Sequence, residues 1–139
     1  MFEIAVQGAL FQALNNSNVK SAVKGIYDAV PEFPKGCDQG FPYLTIGEAI
    51  HNEWDTDDTL GNNVSIDIHV WSRYNKKYRG MKEAKEIQGL IYKALHRQEL
   101  TYETYDIISV DRENSHTFKD ADGLTVHGVS TFRILIDEV

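Results

Sequence analysis

The chain has 139 residues, of which 42% are hydrophobic and 25% are charged. These proportions are ordinary for a globular protein, so we expect one domain over residues 1–139 and exclude disorder of the whole chain. The formal net charge of −7 argues against specific nucleic-acid binding through the general surface, because duplex affinity comes mainly from Lys and Arg side chains against phosphates. No apolar run approaches the roughly 18 residues of a membrane-spanning helix, so we expect no membrane contact.

Two stretches have the apolar spacing of amphipathic helices. The first helix is predicted over residues 2–15, and its stripe consists of Val6, Leu10, Ala13 and Leu14. The second is predicted over residues 81–97, and its stripe consists of Ala84, Ile87, Ile91, Ala94 and Leu95.

Alternation of apolar and polar residues predicts four strands. It is clearest over residues 64–71, where one face is formed by Val64, Ile66, Ile68 and Val70 and the other by Ser65, Asp67, His69 and Trp71. The other strands are predicted over residues 42–50, 106–111 and 126–136, and a short additional strand is possible within residues 25–30. Residues 54–62 read as an acidic hairpin loop, and residues 120–123 as a turn.

The predicted order is therefore α-β-β-α-β-β. Two helices that lie on one face of a mainly antiparallel sheet of about four strands would bury both helical stripes. The sequence thus predicts an α+β domain of this architecture.

Catalytic and cofactor motifs are absent from the sequence, which has no GxSxG, P-loop, GxGxxG or HExxH pattern. No two histidines have a local zinc spacing, although a distant site formed by His116 and His127 across the last hairpin stays open. Asp120-x-Asp122-Gly123 is similar to the start of a calcium loop, but its glutamate ligand is missing. We therefore expect no enzyme activity, no cofactor and no metal.

Aromatic and acidic side chains mark candidate contact surfaces. Trp71 lies on the polar face of its predicted strand and precedes Arg73, Tyr74 and Tyr78, and these residue types dominate interface energies. The alternative is a second small core beneath the following turn. The acidic residues of the hairpin loop could form a general acid–base pair only if one carboxyl lay in an apolar pocket, so a solvated loop is preferred. The candidate assembly interface comprises Trp54, Asp55, Asp57, Asp58, Trp71, Arg73, Tyr74, Tyr78, Asp120 and Asp122.

Several short segments, taken in order, resemble those of a known family. They are Ile26-Tyr27-Asp28-Ala29-Val30-Pro31, Phe41-Pro42-Tyr43-Leu44-Thr45-Ile46-Gly47-Glu48, His69-Val70-Trp71-Ser72-Arg73, Ala94-Leu95-His96, and Asp120-Ala121-Asp122-Gly123 followed by residues 126–136. In order and spacing they resemble the tail-completion proteins (tail-to-head joining proteins, or tail terminators) of long-tailed bacteriophages. The resemblance runs from about residue 10 to residue 136.

The resemblance implies a structural virion protein and no catalytic residues. Members of the family form a six-fold ring that caps the head-proximal end of the tail tube and docks on the head connector. The implied partners are further copies of the chain, the tail tube protein and the head-completion protein. The implied location is the virion tail at the head–tail interface, after assembly in the host cytoplasm. The single cysteine, Cys37, fits such a reducing compartment.

Two hypotheses follow for this family. Residues 54–63 and 115–125 would be assembly loops that are disordered in the free subunit and ordered on contact. Acidic side chains, including Asp55, Asp57 and Asp58, would line the bore so that DNA passes without binding. The alternatives to a structural adaptor are a small-ligand-binding or regulatory α+β domain and a metal-assisted hydrolase built from scattered His and Asp residues.

Overall fold

The computed structural model describes residues 2–28, 40–55, 60–73 and 81–138. Its helices are α1 (Phe2–Asn15), α2 (Val19–Ala22) and α3 (Lys82–Leu95). Its strands are β1 (Ile26–Tyr27), β2 (Tyr43–Asp55), β3 (Leu60–Arg73), β4 (Thr101–Tyr102), β5 (Tyr105–Lys119) and β6 (Thr125–Glu138). Within these ranges no helix has the length and apolar character needed to cross a membrane.

The strands form one curled, six-stranded sheet in the order β1-β2-β3-β6-β5-β4. β1 pairs with β2 in parallel, and the other pairs are antiparallel. The predicted sheet of about four strands with two helices is therefore wrong, because the sheet is mixed and has six strands, and a third helix is present. The short strand that was possible within residues 25–30 is present as β1. The elements that the sequence pattern did not indicate, β4 and α2, have two and four residues, too few for a periodicity to show.

The long strands extend beyond their predicted limits. The predicted acidic loop is largely strand, since Trp54 pairs with Gly61 and Asp55 pairs with Leu60; residues 56–59 lie outside the described part. The predicted assembly loop at residues 115–125 is also strand as far as Lys119. These extensions are mostly polar, so cross-strand hydrogen bonds form them where no hydrophobic pattern indicates them.

The helices pack on one face of the sheet and form the core with it. The predicted first helix is confirmed residue for residue, and the second is confirmed with slightly shorter limits. α3 ends at Leu95, because His96 is already extended and Arg97 then adopts a positive φ of 56°; neither conformation continues a right-handed helix. The buried helical residues are Ala5, Val6, Ala9, Leu10, Leu14, Ala84, Ile87, Ile91 and Leu95.

The predicted alternation in the two central strands is also confirmed. In β3 the residues that face the helices are Val64, Ile66, Ile68 and Val70, and in β6 they include Phe132, Ile134 and Ile136; all are buried. The opposite face of the sheet, which we call the outer face, therefore carries the intervening residues of each strand.

A buried glutamine ties α3 to the last hairpin. Gln88 Nε2 donates to the carbonyl of His116 at 3.1 Å, and its Oε1 accepts from the Thr117 hydroxyl at 2.7 Å. The amide fits because Gly128 lies beneath it, where a Cβ would stand 2.6 Å from Gln88 Nε2. The helix is thus held on β5 by polar contacts as well as by apolar packing.

Candidate interaction surface

The outer face carries a row of rings that crosses four neighbouring strands. Tyr43 of β2 is the register partner of Trp71 of β3, Trp71 is the partner of His127 of β6, and His127 is the partner of Phe118 of β5. We call these four residues, together with His69, the outer-face cluster. Because directly opposed side chains on one face lie about 4.5–5.5 Å apart, successive strands bring the rings into contact.

Trp71 lies at the centre of the outer-face cluster and is held on two sides. Its ring stacks on His127 with the centroids 3.8 Å apart and the planes 13° from parallel. Its indole Nε1 donates to the Thr45 hydroxyl at 3.1 Å. A half-buried tryptophan whose polar atom is satisfied within the sheet has a fixed orientation.

Two histidines of the outer-face cluster contact each other directly. His69 Nδ1 lies 2.7 Å from His127 Nε2, so one ring donates and the other accepts. Burial is the main cause that lowers the pKa of each ring. His69 lowers the pKa of His127 further, whereas Asp120 raises it. Asp67 raises the pKa of His69. The hydrogen-bonded pair is therefore neutral at neutral pH.

Acidification should weaken this pair. The pKa of each ring in the folded chain is lower than its unfolded value of about 6.5. As the pH falls, the unfolded chain therefore binds protons before the folded chain does. Stability that is present above about pH 6.5 is lost below it. We expect the melting temperature to fall between about pH 7.5 and pH 5 and His127→Phe to remove much of that fall. Scanning calorimetry at both pH values provides the measurement.

The matched control is His116→Gln, which removes a nearby exposed histidine and should leave most of the pH dependence in place. An NMR titration separates the causes. If the pKa of His127 proved higher than its ordinary value, attraction between its cation and the Trp71 ring would dominate over burial, and the expected loss of stability in acid would be wrong.

A charged turn closes one end of the sheet beside the cluster. Asp122 Oδ1 accepts from the backbone N–H groups of Leu124 and Thr125, both at 2.8 Å, and Oδ2 accepts from the Thr125 hydroxyl at 2.7 Å. Arg73 Nη2 lies 3.9 Å from Asp122 Oδ2 and 3.3 Å from the Thr125 hydroxyl oxygen. Two residues of the candidate interface, Arg73 and Asp122, therefore meet at this end.

The hydrogen bonds of this turn lower the pKa of Asp122 from 3.8 to about 2, with the Thr125 hydroxyl as the largest cause. The carboxylate is thus charged in the folded chain at every pH above that value. Its contribution to stability is fully present above the ordinary pKa of 3.8 and is lost as the pH falls from there through about 2. We expect Thr125→Val to raise the pKa of Asp122 towards its ordinary value, as measured by NMR titration. An unchanged pKa would show that the hydroxyl is not the main cause.

The structure does not bring all of the other candidate interface residues to this end. Trp54 and Asp55 belong to the β2–β3 hairpin, at the opposite end of the sheet. Asp120 lies at the start of the Arg73–Asp122 turn, where its backbone N–H donates to the Thr125 carbonyl at 2.9 Å. Asp57, Asp58, Tyr74 and Tyr78 lie outside the described residues.

Most of the outer-face cluster was not identified from the sequence. The polar-face position of Trp71 was predicted, but the stacking of Trp71 on His127 and the contact of His127 with Phe118 require β6 to lie between β3 and β5. The open possibility of a metal site at His116 and His127 gains no support, since His127 pairs with His69. Over the described ranges no three His, Cys, Asp or Glu side chains form a group that could hold a metal ion.

Comparisons with known proteins agree with the sequence resemblance. The family model described as tail completion protein gp17 matches residues 8–137. The chain belongs to this family. Its relatives include tail completion protein gp17 of Bacillus phage SPP1, which is 29% identical over 108 residues that make up 78% of this chain and 76% of the relative.

A chain in the solved structure of the virion of a native gene transfer agent particle has the same fold. It superposes with a TM-score of 0.79 and 19% identity, over 95% of this chain and 94% of the other. The family of tail completion protein gp17 consists of structural proteins of the phage tail, and the sequence-based placement of the chain in the virion tail is confirmed.

Proposed function

We propose that the chain is an adaptor that caps the head-proximal end of the phage tail tube as a six-fold ring and joins the tail to the head connector. Its partners would be further copies of itself, the tail tube protein and the connector's head-completion protein. The role requires shape and contact, and no bond is made or broken by its side chains. Membership in the tail completion family is the observation that carries the proposal.

The shape of the subunit supports contact with two partners at once. β3 has 14 residues, which span about 45 Å at about 3.3 Å per residue. The Arg73–Asp122 turn lies at one end of this strand, and the hairpin that carries Trp54 and Asp55 lies at the other. One rigid sheet would therefore present different candidate contact residues to the tail and to the head.

A small-ligand-binding function is the alternative, and it would need a pocket with apolar walls and a few convergent polar groups. The structure has a groove of about 390 Å³ beside α1 and β2. Its ionisable lining residues are Glu3, Asp28 and Glu48, all carboxylates, and Ile4 beside them is largely exposed. This groove favours contact with another protein surface over enclosure of a small molecule.

The test is to add the purified protein to phage tails that lack it and to examine them by negative-stain electron microscopy. We expect a ring at one end of each tail and recovery of head–tail joining when purified heads are added. Arg73→Ala is expected to reduce joining, and Arg133→Ala, an exposed arginine on the outer face away from the turn, is the matched control. Tails that stay bare, or that join heads without the protein, would refute the proposal.

A further inference from the structure

We propose that neighbouring subunits in the ring pair edge to edge: residues 113–118 of β5 in one copy add to residues 46–51 of β2 in the next. This inference rests on the proposed self-association and specifies the surface that carries it. It names a second copy of this chain as the partner of each sheet edge.

The β5 edge is available in one segment only. β4 pairs with β5 at Tyr105 and Asp106. Farther along, the turn after α3 covers the edge, because Arg97 N–H donates to the Val110 carbonyl at 2.7 Å and Arg112 N–H donates to His96 Nδ1 at 3.1 Å. From residue 113 to residue 118, the described part of the chain places no strand beside β5.

The β2 edge has a complementary arrangement. β1 pairs with Leu44 and Thr45, and beyond them the described ranges place no further strand on this side of β2. Unpaired edge strands are templates for pairing with another chain. The two edges are different surfaces of one subunit, as a ring requires, because a closed ring is built from heterologous contacts.

Exposed apolar side chains mark both edges on the same face of the sheet. Phe118 is 38% exposed and is the register partner of His127, and Ile50 is 62% exposed and is the register partner of Ser65. Both partners lie on the outer face, so Phe118 and Ile50 do as well. In an antiparallel pairing of the two segments Ile50 lies opposite residue 114 of the neighbouring copy, four residues from Phe118. Both side chains lie on one continuous face, and each is available to pack on a different part of the junction.

Strand direction and charge agree with this pairing. Three antiparallel steps separate β2 from β5. Rotation about a ring axis to which the strands are modestly tilted preserves their directions, so the new pair is antiparallel like its neighbours. Pairing of β2 with β2 would bring together two sets of the groove carboxylates Glu3, Asp28 and Glu48, and like charges in direct opposition are destabilising. The contact between unlike edges is therefore preferred.

The test blocks each edge while leaving the subunit folded. Asp120 N–H donates to the Thr125 carbonyl of β6, and in an antiparallel ladder every second residue of a strand bonds to the same neighbour. Ser115 lies five residues, an odd number, before Asp120, so its N–H points away from β6 to the open edge. Ser115→Pro removes this donor at a position where an edge strand tolerates proline. Ile50→Lys places a charge on the β2 edge, and Ile108→Lys, at an exposed apolar residue of β5 outside the edge segment, is the matched control.

We expect both edge variants to reduce the fraction of tails that bear a ring by at least about tenfold, a loss that corresponds to about 1.4 kcal/mol. Their melting temperatures should stay near that of the wild type, and Ile108→Lys should form rings. An equal mixture of the two edge variants should also fail, because such a mixture can make only one intact junction before the chain of subunits ends.

The outcomes separate this inference from the proposed function. If the wild type forms rings and folded edge variants form them equally well, the edge pairing is refuted and the ring stands. Ring formation by the mixture would refute it too, since it would show that the two edges do not meet. If the wild type forms no ring on tails, the proposed function itself fails. An edge variant that unfolds is replaced by Phe118→Lys or Ile50→Asp, to which the same outcomes apply.

Discussion

The Phe132→Ala substitution is expected to lower the free energy of unfolding by about 3–5 kcal/mol, the cost of truncating a large aromatic side chain in a packed core. Phe132 is 0% exposed and is the largest of the fully buried side chains. It lies in β6 between Ile66 of β3 and Arg112 of β5, so the cavity would open at the centre of the sheet, beneath the helices.

Urea unfolding followed by circular dichroism measures this change. The neighbouring Arg133→Ala is the control, because its side chain is exposed and surface substitutions usually change stability by less than about 0.5 kcal/mol. Equal effects of the two substitutions would contradict the assignment of the inner and outer faces of β6. They would also undermine the placement of His127, which shares the outer face with Arg133.

The same alternation explains which parts of the fold could be predicted from the sequence. The stripes of α1 and α3 and the inward residues of β3 and β6 were predicted because each is a long segment with one buried face. In such segments the burial of apolar surface decides the structure locally, so the residue pattern carries the information. Phe132 belongs to this predictable part.

The rest of the fold depends on contacts between segments that are distant in the chain. β6 lies between β3 and β5, and no local pattern specifies that order. β1 and β4 exist because a longer strand supplies their partner groups. The sequences at the ends of the β2–β3 hairpin and of β5 are mostly polar and have no apolar alternation, so the length of these strands is set by backbone hydrogen bonding.

The candidate interface shows the same division. The alternation in the sequence predicts that Trp71 lies on the polar face. The pairing of Arg73 with Asp122 could not be predicted in this way, because it depends on the strand register that places Arg73 opposite Thr125. The contact between His69 and His127 joins residues 58 positions apart. Such a pair becomes predictable only when the neighbour of each strand is known.

The Trp71→Ala substitution is expected to cost about 2–3 kcal/mol of stability, less than the roughly 3–5 kcal/mol of a fully buried site because Trp71 is half-buried. Trp71→Phe keeps a ring against His127 and removes only the hydrogen bond to Thr45, so its expected cost is about 1 kcal/mol. Comparison of the two variants by chemical unfolding separates the stacking contribution from that of the hydrogen bond.

A second measurement tests whether Trp71 shields the histidine pair. Burial is the largest cause that lowers the pKa of His127, and removal of the indole ring would expose the imidazole that stacks on it at 3.8 Å. The pKa of His127 should therefore rise towards its ordinary value in Trp71→Ala and change less in Trp71→Phe, as followed by NMR titration. A pKa that stays unchanged in Trp71→Ala would show that His127 is buried by other groups, and the outer-face cluster would then not act as one packed unit.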